Sequence, residues 1–110
     1  MSCWEFTDEE TWAGKPIARK LRDLEARRRF VVTGWLRDAG TTLVGKAETF
    51  SCVLDDGTGS VGLLFLGRQT VPGLVDSTRC TAEGTAQAVR EELVAWDPLY
   101  RIEPEDWDDR

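Results

Sequence analysis

The chain has 110 residues, of which 41% are apolar and 31% charged, and it carries a formal net charge of −6 with no histidine. This length predicts one domain with a single core, and no stretch approaches the roughly 20 apolar residues of a membrane span. The acidic N-terminus is not expected to be a signal peptide, because it lacks an apolar region. Without histidine, no serine or cysteine has the usual general base as a partner, so an enzyme is not expected.

The cysteines Cys3, Cys52 and Cys80 stand far apart and form no Cys-x-x-Cys pair. An odd number at wide spacing does not suit a disulfide framework, and without histidine it does not suit a zinc site. We therefore expect free thiols in a reducing cytoplasm, with Cys52 and Cys80 as small core residues. We expect no metal and no other cofactor.

Charge divides the chain into four segments. Residues 1–14 carry four acids and no base, and residues 15–29 carry seven bases against two acids. Residues 30–102 have six bases against nine acids, and residues 103–110 have one base against five acids. The protein is acidic mainly because of its two ends.

The basic segment, residues 15–29, is predicted to form an amphipathic helix. Pro16 suits the first helical turn, and Ile17, Leu21 and Leu24 recur at the spacing of one helix face. The basic side chains allow two interpretations. They form a phosphate-contacting face, or they are the solvated face of a helix that packs on the domain.

From Arg29 onward the apolar period changes from 3.6 to 2, which is typical of strands. Turn residues recur about every ten positions and delimit five strands. A loop containing Gly40, Gly45 and Lys46 follows the first strand, and residues 70–77 are too broken by proline and glycine for a strand. The predicted strands are residues 29–37, 49–55, 60–66, 78–86 and 92–96, and the fifth resumes at 100–102.

Alternation assigns one face of each strand to the core. Gly34 and Gly84 lie on this inward face, where glycine weakens a strand unless the sheet bends or another backbone comes close. Five short strands with such glycines predict a small, strongly curved barrel. The other residues expected to point inward are Phe30, Val32, Leu36, Phe50, Cys52, Leu54, Val61, Leu63, Phe65, Cys80 and Ala82.

The turn Asp56-Gly57-Thr58-Gly59 joins the second and third strands within CVLDDGTGSVGLLFLGR. A strand follows the glycines, whereas a phosphate-binding loop would lead into a helix. Together with V-P-G-L, C-T-A-E-G-T and D-P-L-Y-R-I further on, this stretch resembles OB-fold nucleic-acid-binding domains, especially small actinobacterial OB-fold proteins. The resemblance covers residues 30–102. It implies an all-β, five-stranded Greek-key OB-fold barrel that binds its ligand on the outside of strands two and three, between two loops.

The resemblance implies a nucleic-acid partner, and alternation identifies the side chains on the outer face. An indole at Trp35 would stack on bases, while Arg37, Lys46 and Arg68 would contact phosphates and Leu64 would add apolar surface. These five residues are the candidate site for weak, sequence-tolerant binding of single-stranded DNA or RNA.

Two other uses of this outer face remain open. The apolar stripe of the N-terminal helix would cover Trp35, Leu64 and Leu66, since each surface otherwise stays exposed to water. Alternatively, the face binds a protein, and the chain is an interaction adapter. The acidic tail, residues 103–110, either competes with nucleic acid for the cations of the face or is a solubilising disordered segment.

Overall fold

The computed structural model describes residues 9–104. They form an all-β protein with a seven-stranded sheet, a two-stranded hairpin and one 3-10 turn over Leu21–Asp23. No helix in this range is long and apolar enough to cross a membrane. The strands are β1 (Thr11–Trp12), β2 (Lys15–Pro16), β3 (Arg29–Val44), β4 (Ala47–Asp55), β5 (Ser60–Leu66), β6 (Arg79–Thr85), β7 (Gln87–Val89), β8 (Glu92–Trp96) and β9 (Leu99–Ile102).

All five predicted strands are present, as β3, β4, β5, β6 and β8, and the predicted continuation is β9. The first differs most, because β3 runs on to Val44 through the predicted loop. The register of β3 against β4 shifts between Arg37 and Gly40. Pairing with β4 resumes at Gly40↔Ser51. Such a bulge bends a strand without ending it. The short strand β7 was not predicted; it pairs with β8 as a hairpin.

The order in the large sheet is β7-β8-β5-β4-β3-β6-β9. Strands β5 and β8 are parallel, and every other neighbouring pair is antiparallel. No pairing among residues 9–104 joins the edge strands β7 and β9. The hydrogen-bonded sheet therefore does not close into the predicted barrel. Only Asp97 and Pro98 separate β8 from β9. One nearly continuous segment therefore lies along β5 first and along β6 afterwards.

The inward faces were predicted correctly, since all eleven non-glycine residues assigned to them are buried. A Cβ at Gly34 would lie 2.6 Å from the carbonyl oxygen of Asp55, so the close backbone approach expected at this glycine is present. Cys52 and Cys80 are free and buried. Burial raises the pKa of Cys52 to about 12 and that of Cys80 to about 11, which keeps both thiols protonated.

The predicted helix over residues 15–29 is wrong. The amide of Ala18 donates to the Arg29 carbonyl (2.9 Å), and the amide of Val31 donates to the Ala18 carbonyl (3.0 Å). The amide of Leu21 donates to the side chain of Asp56 at 2.9 Å. These distant partners replace the local hydrogen bonds of a helix.

The apolar stripe of this segment still buries, but in a different place. Leu21 and Leu24 belong to the main core, and Ile17 is also buried. Because these side chains point inward, they do not cover the outer face. Trp35 stays 54% exposed and Leu66 48% exposed. The alternative in which a leading helix closes the outer face is therefore wrong.

Candidate functional site

The turn Asp56-Gly57-Thr58-Gly59 is hydrogen-bonded to the segment that precedes β3. The carboxylate of Asp56 accepts hydrogen bonds from the amides of Leu21 (2.9 Å), Thr58 (2.8 Å) and Gly59 (3.2 Å), and from the Thr58 hydroxyl (2.7 Å). Partial burial opposes ionisation, but these hydrogen bonds prevail and lower the pKa of Asp56. The Thr58 hydroxyl also accepts from the amide of Arg22 at 3.0 Å. The turn thus holds the N-terminal segment against the domain.

The outer face of the sheet is built in rows of paired residues. Arg37 on β3 lies opposite Val53, and Val53 lies opposite Gly62 on β5. The parallel strand β8 extends these rows, because Val94 pairs with Gly62 and Trp96 pairs with Leu64. A Cβ at Gly62 would lie 3.2 Å from Val94, so glycine lets β8 pack closely here.

A groove of about 990 Å³ lies on this face. One wall is the tip of the β3–β4 hairpin, and the other is the β7–β8 hairpin. This volume is in the range of ligand-binding clefts. The groove is defined by its lining residues, which are Leu43, Val44, Leu64, Val89, Arg90, Glu91, Glu92, Val94 and Trp96.

The groove has an apolar floor and wall tips that are open to water. Leu43 is 66% exposed on one wall and Val89 is 43% exposed on the other. Arg90 is the cation of the lining and lies beside Glu91 and Glu92.

Two of the five predicted site residues are associated with the groove. Leu64 lies on its floor. Lys46 is exposed in the turn between β3 and β4, directly beyond the wall residue Val44. Arg68 is also exposed, but it follows β5 and is not part of the lining.

The other two predicted residues occupy a neighbouring part of the outer face. Arg37 lines a depression of about 460 Å³ that shares Glu91 and Glu92 with the groove. Trp35 lies two positions before Arg37 on β3, and the guanidinium of Arg79 is 6.0 Å from its ring centre. Trp35, Arg37 and Leu64 thus lie on one face, Lys46 and Arg68 lie in the segments beyond the strands, and the five do not form one cluster.

The guanidinium of Arg37 already forms ion pairs with two carboxylates. It pairs with Asp38 at 2.8 Å and with Asp55 at 3.3 Å. The hydrogen bond that Arg37 donates to Asp38 is the main reason that the pKa of Arg37 is raised. An approaching phosphate would have to compete with both acids for this cation.

The sequence reasoning missed the part of the groove built by β7 and β8. Alternation within the predicted fifth strand was a usable signal, since Val94 and Trp96 are two residues apart. Their place beside Gly62 and Leu64 depends on the parallel pairing of β5 with β8. A local pattern does not show which distant strand becomes the parallel neighbour of β8.

The acidic tail begins beside Arg79, the residue of β6 that pairs with Trp35, and is described as far as Pro104. The amide of Glu103 donates to the Arg79 carbonyl at 2.9 Å. The Glu103 carboxylate accepts from Thr81 (2.6 Å) and Arg101 (2.9 Å), and these contacts lower its pKa. The predicted competition by the tail concerns mainly residues 105–109, which lie outside the described range.

Within residues 9–104, no group of three or more cysteine, aspartate or glutamate side chains is arranged to hold a metal ion. No protein-family model matches the sequence, and no curated protein matches it.

Proposed function

We propose that this protein is an OB-fold protein that binds single-stranded nucleic acid weakly and with little sequence preference. The strand pairings support the fold assignment. An OB fold is a five-stranded Greek-key barrel, and β3, β4, β5 and β6 supply its first four strands in order. The segment β8–Asp97–Pro98–β9 would be the fifth, because it is parallel to β5 and then antiparallel to β6.

The observation that carries the proposal is the position of the groove. Its floor is formed by Leu64 of the third strand with Val94 and Trp96 of the fifth, and its walls follow the first and the fourth strands, as do the two loops that flank the binding face of OB folds. Trp96 and Leu64 give its floor a broad apolar surface on which bases can stack. Lys46 lies in the turn of the β3–β4 hairpin and Arg90 in the turn of the β7–β8 hairpin, and neither forms an ion pair with another residue of 9–104, so both would contact backbone phosphates.

The charge of the described residues fits weak binding. Removing Arg110 from the 14 bases leaves 13, and removing the six acids of residues 1–8 and 105–110 from the 20 leaves 14. The described part of the chain is thus nearly neutral, with a net charge of −1. Binding would depend on a few local cations, and its affinity would fall with salt as counterions are released.

The proposal is tested by titrating the protein with oligothymidylate and oligouridylate at low and moderate salt, with tryptophan quenching as the readout. Leu43→Glu places a negative charge on an exposed groove wall and should weaken binding about tenfold. Val75→Glu is the matched control, because Val75 is 59% exposed and does not line the groove. Absence of binding at low salt, or equal effects of the two variants, would overturn the proposal.

Trp35→Ala tests whether the stacking residue predicted on β3 contributes to binding in addition to the groove. If a strand extends from the groove onto Trp35, this variant should lose about 1–3 kcal/mol of binding free energy for one stacked base. Its folding stability should change little because the indole is half exposed.

A second candidate function is binding of a protein partner. The aliphatic wall residues Leu43 and Val89 favour it, since nucleic-acid platforms are usually aromatic. The paired state of Arg37 favours it as well. This function predicts no oligonucleotide binding at low salt, together with a purified partner that binds wild type and Val75→Glu but not Leu43→Glu.

A further inference from the structure

A basic pocket lies away from the groove, where the β1–β2 hairpin meets the start of β3. It has a volume of about 240 Å³, and four of its seven lining residues are cations. No acid belongs to this lining. The basic pocket is defined by Trp12, Ala13, Lys15, Arg27, Arg28, Arg29 and Thr85.

A cation–π contact and a strained backbone conformation shape this pocket. The guanidinium of Arg29 lies 4.9 Å from the ring centre of Trp12, which fixes the hairpin over β3. Arg27 has a φ of 67°, in the left-handed region, and its amide donates to the Ala86 carbonyl at 2.7 Å. A non-glycine residue pays about 1–2 kcal/mol for this conformation.

Two of the four cations remain available to a ligand. Arg29 pairs with Glu83 at 3.0 Å, and Arg28 pairs with Glu25 at 3.4 Å. Neither Lys15 nor Arg27 forms an ion pair with any carboxylate of residues 9–104. Within the part of the chain that the structure describes, the pocket therefore keeps an excess of two positive charges.

The basic pocket is continuous with the groove through shared lining residues. Trp96, on the groove floor, also lines a depression of about 190 Å³. That depression contains Arg29 and Thr85, which both line the basic pocket as well. Adjoining depressions thus lead from the groove over Trp96 to the basic pocket, and the middle one also contains the carboxylates of Glu83 and Asp97.

We propose that the basic pocket is a phosphate-binding subsite, which seats the backbone of a single strand that leaves the groove over Trp96. This inference rests on the proposed function. Arginine binds phosphate oxygens through two parallel N–H groups. Trp12, 49% exposed at the rim, offers a stacking surface for a base next to those phosphates.

The test compares two double variants that remove the same charge. The double variant Lys15→Gln, Arg27→Gly removes the two cations of the pocket that form no ion pair with residues 9–104. Glycine at position 27 adopts the positive φ without strain. Lys20→Gln with Arg22→Gln is the control, because both side chains are exposed on the same segment but outside the pocket. Circular dichroism melts establish that all variants are folded.

Binding is measured with oligothymidylates of about 4 and about 16 nucleotides, the limits of OB-fold site sizes. For the longer strand, the pocket variant should bind about tenfold more weakly. Its slope of log affinity against log salt should be shallower by about 1.4, since each phosphate contact on a single strand contributes about 0.7. The shorter strand fills only the groove, so its affinity should not change.

The outcomes separate this inference from the proposed function. If the longer strand binds equally to both double variants, the subsite is overturned while the groove function stands. If neither strand binds wild type, the groove function fails, and the subsite fails with it. A titration with pyrophosphate distinguishes the source of the phosphate. Pyrophosphate binding that needs Lys15 and Arg27, without binding of either strand, would assign the pocket to a free phosphate ligand and overturn the subsite.

Discussion

The amide of Leu21 donates to the carboxylate of Asp56 at 2.9 Å, across 35 positions of sequence. This bond ties the buried N-terminal segment to the turn between β4 and β5. Since Leu21 and Leu24 fill part of the core, the segment before β3 is a component of the domain.

Asp56→Ala should lower the free energy of unfolding by about 2 kcal/mol, because hydrogen bonds to charged groups contribute about 1.5–3 kcal/mol each and water recovers part of the loss. Urea titration measures the effect. Asp23→Ala is the control, since Asp23 is exposed and its side chain makes no hydrogen bond to residues 9–104. Equal stability of the two variants would contradict a stabilising role of the hydrogen bonds that Asp56 accepts.

The same carboxylate makes stability depend on pH. The folded pKa of Asp56 lies below its ordinary value of 3.8, so its contribution is fully present above that value. The contribution should be lost as the pH falls below about 4 and through the lowered folded pKa. In Asp56→Ala, the decline of stability on acidification should therefore be smaller than in wild type. Parallel declines in the two proteins would show that Asp56 does not titrate as inferred.

Gly34→Ala should be strongly destabilising, with a loss of about 1–3 kcal/mol, because the new methyl would overlap the backbone of Asp55. Gly40→Ala is a matched control on the same strand, since its Cβ would have no atom within 4 Å. Thermal melts of the two variants measure the difference. A Gly34→Ala protein as stable as Gly40→Ala would mean that β3 and β4 can separate without cost.

Arg29→Met should lower the free energy of unfolding by about 3 kcal/mol, because it removes the guanidinium that neutralises Glu83, which is 1% exposed. Arg28→Met removes the neighbouring pair with Glu25, whose side chain is 73% exposed. That loss should stay below about 1 kcal/mol, as for other surface ion pairs. Chemical denaturation compares them, and a similar effect of both substitutions would exclude a buried, stabilising pair.

Asp38→Asn should strengthen nucleic-acid binding if the proposed function holds, because it releases one of the two acids that occupy Arg37. Asparagine tolerates the φ of 58° at this position, so folding should be preserved. The slope of log affinity against log salt should become steeper by about 0.7 for one added phosphate contact. Asp23→Asn makes the same change of charge elsewhere. An equal gain in that variant would indicate a general effect of net charge.

Local patterns predicted the sheet well and the N-terminal segment poorly. The bounds of β5 and β8 were predicted to the residue, because alternation and turn residues are properties of the segment itself. The spacing of Ile17, Leu21 and Leu24 indicated correctly which residues are buried. It could not show that the amide of Leu21 binds Asp56 or that the amide of Ala18 binds the Arg29 carbonyl at the start of β3, since that requires the tertiary structure.

The candidate site could be predicted only in part for the same reason. Leu64 was found because the face of β5 follows from alternation. Trp96 was missed because the register of a parallel pair is not encoded locally. The pairing of Arg37 with the adjacent Asp38 was open to sequence reasoning, whereas its contact with Asp55 depends on the β3–β4 register.

The long reach from Leu21 to Asp56 also constrains how the protein folds during synthesis. The N-terminal segment emerges from the ribosome well before the turn that receives it, and β8, the neighbour of β5, emerges later still. Contacts so distant in sequence slow folding, and apolar side chains that wait for partners are prone to aggregate. Leu21 and Leu24 therefore lack their core partners on the nascent chain until the strands that cover them have been synthesised.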